Sequence, residues 1–118
     1  MAQSEARVIL QRVEGVLIVP LPDPMHDAFL DELRPCVLDY MRDHPIAGLI
    51  LDLSGVEALD EHDFERLRRV ANGVTLMGAQ VVLAGMKPGV AAGLVMLDVN
   101  DSWVIPSLSV EAAMERLR

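Results

Sequence analysis

The sequence predicts an α/β domain built on a mixed sheet, in the order β-β-α-β-α-β-α-β-α. Three observations carry this. Two aliphatic runs near the start are separated only by Glu14-Gly15, as in a tight hairpin. Beyond Pro22, segments with apolar residues every three or four positions alternate with short, continuous apolar runs. Such helix–strand alternation implies mainly parallel crossovers with helices packed on the sheet.

The elements follow in order. Arg7 to Arg12 and Gly15 to Leu21 read as paired antiparallel strands. Pro22-Asp23-Pro24 ends the second strand. Phe29, Leu33, Val37 and Met41 or Tyr40 then mark a helix over about Met25 to Arg42. Pro35 removes a backbone donor inside it, so the expectation is one bent helix or a restart near Pro35. His44-Pro45 closes it. Ala47 to Leu53 is a strand covered on both faces. A helix over about Asp60 to Met77 carries the stripe Phe64, Leu67, Val70 or Ala71, Val74 and Met77, with Asp60 as N-cap and Gly78 just past its end. Ala79 to Ala84 is another buried strand. Pro88 opens a short helix to about Leu97. Ser102 to Ile105 reads as a last short strand with Trp103 as its anchor, and Ser109 caps a terminal helix.

Length and composition bound the function. The 118 residues make one domain, 1–118, with no linker or internal repeat. Hydrophobic residues are 52% of the chain and aromatic residues 3%, so the core is aliphatic and a base-stacking platform is excluded. The net charge of −8 disfavours nucleic acid and anionic lipid and favours a partner with a basic surface. Cys36, the one cysteine, permits no internal disulfide and no thiolate zinc cluster, which fits a cytoplasmic protein. The opening residues have no signal-peptide pattern, and Gly89 to Leu97 is about half the length of a membrane span.

The chain offers little for catalysis. No nucleophile elbow, phosphate loop or dinucleotide fingerprint is present. His26, His44 and His62 are never paired at helical spacing, and the consecutive Glu61-His62-Asp63 fan apart on a helix instead of converging on a metal. No enzyme activity, cofactor or metal is expected. Cys36 has no base partner and reads as a small packing residue. Gly89 and Gly93 share a helix face, where close packing on a sheet or another chain is expected, with anion binding at the Pro88 helix start as the alternative.

Leu51-Asp-Leu-Ser-Gly-Val-Glu-Ala-Leu-Asp60 resembles the signature of STAS domains, the family of anti-sigma factor antagonists. Leu76-Met-Gly-Ala-Gln-Val-Val-Leu-Ala-Gly-Met-Lys-Pro-Gly-Val-Ala91 is similar to the stressosome branch, that of RsbS and the C-terminal domain of RsbR. The likeness covers nearly the whole chain. It implies a mixed sheet with helices mainly on one side, and a non-enzymatic module that docks an anti-sigma or switch kinase, or paralogous STAS scaffold proteins, and self-associates. The alternative within the family is a subunit of a membrane transport system for lipid or anion, bound to a cytoplasmic ATPase.

The resemblance also assigns residues. The docking surface would take in Glu57, Asp60, Glu61, His62, Asp63 and Arg66, with Lys87 and Gly89 on the adjacent loop. The family's phosphoacceptor hydroxyl directly follows the aspartate, and here that position is Glu61. By ungapped matching, the second acceptor of the RsbR type falls on Gly93. Both switch hydroxyls are therefore replaced, and Ser54, earlier in the motif, is expected only to cap its turn. Two readings of Glu61 stay open. As a partial phosphomimic it supplies one charge where a phosphate carries nearly two. As a plain helix-start acid it contributes about 0.3–1 kcal/mol.

Overall fold

The computed structural model describes residues 7–97 and 99–118. Its elements are β1 (Gln11–Val13), β2 (Val16–Pro20), α1 (Asp27–Asp43), β3 (Gly48–Asp52), α2 (Glu61–Leu76), β4 (Gln80–Ala84), α3 (Pro88–Leu97), β5 (Pro106–Ser107) and α4 (Val110–Leu117). The five strands lie side by side in chain order. β1 is antiparallel to β2 and every later neighbour is parallel. The hairpin turn places Glu14 and Gly15 at φ of 51° and 79°, the double positive φ of a turn whose twist matches its strands.

The three central strands are apolar on both faces, and their alternation builds two cores. Leu17, Val19, Leu49, Leu51, Val81 and Leu83 point to one side, where α1, α2 and α3 supply Phe29, Leu33, Val37, Phe64, Leu67, Val74, Val90 and Leu94. Val16, Ile18, Ile50, Val82 and Ala84 point to the other, covered by Ala113, Val110, Met114 and Leu117 of α4. Three helices on one side and one on the other is the predicted arrangement. A Cβ on Gly48 would stand 2.8 Å from the Leu117 side chain, so glycine lets α4 lie directly on β3.

Several local expectations are corrected. Of the two forms expected for α1, the restart near Pro35 does not occur: a single helix runs through it. Pro35 is exposed, so water reaches the carbonyl left without a donor. The last strand is not Ser102–Ile105 but Pro106–Ser107. Trp103 packs on Phe64 with ring centroids 5.0 Å apart, and its indole N–H donates to the Asn100 carbonyl. The backbone turns there, with the Val104 N–H donating to Asp101, and meets β4 only from Ile105 onward. Trp103 thus anchors the turn before the strand. Gly89 and Gly93 do not mediate close packing within the domain, because a Cβ on either meets nothing within 4 Å. Ser54 is not a hydroxyl cap: its backbone N–H donates to Asp52 Oδ1 at 3.0 Å.

Candidate functional site

Parallel order fixes where the functional loops gather. α1, α2 and α3 each leave the carboxyl end of a parallel strand, so all three start at one end of the sheet, the usual place for sites in parallel α/β folds. That end assembles Asp23–Asp27, Glu57–Glu61 and Lys87–Gly89.

Asp60 sits at the N-cap with extended backbone (φ −94°, ψ 175°), and its Oδ1 accepts the Asp63 N–H at 2.7 Å. One orphan donor of α2 is thereby satisfied, and the entry angle of the helix is fixed. Glu61 follows as the first helical residue. It is exposed and makes no ion pair with any described residue. With His62 and Glu65 it lines an open cleft floored by Phe64 and walled by Val99 and Asn100. Asp63 is half-buried, and its carboxyl is pushed above the usual aspartate range by that burial first and by the adjacent Asp60 charge second.

His62 and Arg66 reach toward α1. His62 Nε2 lies 3.0 Å from Asp27 Oδ1. Arg66 pairs with Asp31 and reaches Asp27 at 3.9 Å. These bonds clamp α1 to α2 across the protein surface. Farther along α2, Arg68 donates to Glu65 at 2.9 Å through Nε, and that contact holds the Glu65 carboxyl below the ordinary glutamate range.

Glu57 accepts an ion pair from Lys87, tying the β3–α2 loop to the β4–α3 loop, while its backbone N–H donates to Asp23 at 3.1 Å. The expected contact residues therefore form one continuous rim. Gly89 is exposed in the first turn of α3, and Gly93 is half-buried one turn later. Among the described residues no His, Cys, Asp or Glu group has the geometry to hold a metal, and no helix is long and apolar enough to cross a membrane. Cys36 is half-buried, and its thiol is pushed up by desolvation and by Glu32 and Asp39.

The sequence matches the STAS domain family over residues 7–113. The chain is a STAS domain. It is 22% identical over 102 residues to the RsbT co-antagonist protein RsbRA of Bacillus subtilis (strain 168), covering 86% of this chain and 37% of RsbRA. It thus spans little more than a third of that relative. Its fold is similar to a Ser-to-Glu variant of RsbS from Moorella thermoacetica, with a TM-score of 0.80, 23% identity and 94% of each chain covered. It is also similar to a chain in a structure of the stressosome, described as a signal integration and transduction hub. That match has a TM-score of 0.80, 22% identity, and coverage of 92% of this chain and 95% of that one.

Sequence reasoning missed the acids that complete the rim of this STAS domain: Asp23, Asp27 and Asp31. All three belong to the loop and first turns of α1, which the motif does not include. Their signal was topological: parallel neighbouring strands bring the start of α1 beside the start of α2.

Proposed function

We propose that this STAS domain is a non-enzymatic docking module of the anti-sigma antagonist and stressosome type, working in the cytoplasm. Its partner is an anti-sigma or switch kinase, or a paralogous STAS scaffold protein, and copies of the chain also self-associate. The docking surface is the start of α2 with the loop before it, bounded by the Glu57–Lys87 tie. The observation that carries this reading is Glu61: an exposed, unpaired carboxylate on the first residue of a firmly capped helix, where the family motif has its phosphoacceptor.

A fixed carboxylate there acts as a partial mark. It brings one charge and two acceptor oxygens where a phosphoryl group brings nearly two charges and three. The positive end of α2 holds that charge favourably, so the mark does not strain the fold. Partner choice is therefore set permanently at this position, and regulation falls to the partner or to the surrounding assembly.

The test uses Glu61→Ser and Glu61→Gln with a paralogous STAS chain and a switch kinase. Co-elution by native mass is expected for the parent chain. Glu61→Gln should change the affinity for at least one partner, and Glu61→Ser should accept phosphate from the kinase. Unchanged affinity for every partner in both variants would sink the reading.

A further inference from the structure

The second strand edge of the sheet is only half closed. In β4, Gln80, Val82 and Ala84 bond toward β3: the Gln80 N–H donates to Ala47, and Ala84 accepts from Leu53. The alternate residues face the other way. Leu83 and Gly85 donate to Ile105 and Ser107. Val81 shares their direction, yet β5 pairs only with Leu83 and Ala84, and neither the N–H nor the carbonyl of Val81 has a partner among the described residues. Val81 is 5% exposed over the residue as a whole and lines the opening beside β4. Buried main-chain polar groups are rarely left unpaired.

What faces them is a cavity of about 550 Å³ lined by Ala71, Asn72, Thr75, Val81, Trp103 and Ile105, among others. No charged side chain lines it, although the chain carries a net charge of −8. The cavity exists because Trp103 holds the preceding turn on Phe64, which keeps residues 102–104 from pairing with the lower half of β4.

We infer that this groove is a second docking surface, which takes an extended, uncharged segment of a protein partner added beside Val81 as a short strand. The free donor and acceptor of Val81 call for main chain, and the lining calls for apolar or hydroxyl side chains. None of the lining residues belongs to the acidic rim.

The test uses the full chain and an array of pentapeptides alternating Val, Ile, Thr and Tyr. Without peptide, the Val81 amide should exchange faster than that of Val82. Bound peptides should shift amides of Thr75–Val81 and Ser102–Ile105 and protect Val81. N-methylation of the residue facing Val81 should weaken binding about tenfold, since it removes a main-chain hydrogen bond. The exposed substitutions Thr75→Trp and Asn72→Trp should fill the groove and abolish binding with an unchanged thermal midpoint, while Glu61→Gln should leave it intact. The inference is overturned if Val81 is already as protected as Val82, or if no peptide binds tighter than about 1 mM. It is equally overturned if binding tolerates N-methylation or both tryptophans.

Discussion

α2 and α3 hold equivalent places in the fold. Each leaves a parallel strand at the same end of the sheet, and their preceding loops are tied by Glu57 and Lys87. Yet α2 is capped by Asp60, buries Phe64, Leu67, Val70, Ala71, Gly73 and Val74, and is clamped to α1 through His62 and Arg66. α3 buries only Val90 and Leu94, has no charged residue, and leaves Val95 74% and Met96 86% exposed. The same crossover thus carries two kinds of surface: one rigid and charged, one lightly held and apolar. Glu61 lies on the rigid one and Gly93 on the loose one. On the function proposed above, a mark at Glu61 needs the first, because a charge informs a partner only if its position is set.

The widest separation between the two helices is expected from core truncation. Leu67→Ala, at a fully buried position, should lower stability by about 3–5 kcal/mol, read by denaturant unfolding. Leu94→Ala in α3 should cost less and act locally, speeding amide exchange in α3 before global unfolding. Equal costs at the two sites would remove the distinction drawn here.

The cap comes next. Asp60→Ala leaves the Asp63 N–H without its acceptor and should cost about 1 kcal/mol. It should also loosen the first turn that presents Glu61, so that affinity for a partner falls even though Glu61 is retained. Asp60→Asn keeps the acceptor oxygen and should preserve both.

The contrast also explains what could be read from sequence. α2 was legible to within a residue at each end, because its apolar stripe, its capping aspartate and its closing glycine agree. The motif singled out Glu61, Glu57 and Lys87, and the structure places the first at the start of α2 and the other two in an ion pair. α3 was found by Pro88, but nothing in the sequence says that the face shared by Gly89 and Gly93 is left unpacked by the rest of the domain. The last strand was misplaced because Val104 and Ile105 have strand-like side chains, whereas Trp103 decides the path by docking on Phe64, a contact between residues far apart in sequence. Asp27 and Asp31 went unnoticed for the same reason, since their partners lie 35 positions away.

Gly93→Ala bears on the loose helix alone. A Cβ there meets nothing within 4 Å, so alanine adds helix propensity without a clash. A stabilisation of about 0.5–1 kcal/mol is expected, together with slower amide exchange in α3. A loss of stability would mean that the α3 face is packed.

The smallest effect is electrostatic and returns to the α2 start. Burial and the neighbouring Asp60 charge raise the Asp63 carboxyl above its ordinary value of 3.8. The folded state therefore binds this proton more tightly than the unfolded chain does. Stability from this group is present at low pH and is lost as pH rises from the unfolded value through the raised folded value; above that window the loss is constant. Asp63→Asn removes the titration. Because the group is only partly buried and the positive end of α2 offsets part of the repulsion, the gain at neutral pH should be only about 0.5 kcal/mol. The signature is the slope: between the two values the parent chain should lose stability with rising pH relative to Asp63→Asn. Parallel stability curves for the two proteins would show that the fold does not raise the Asp63 carboxyl.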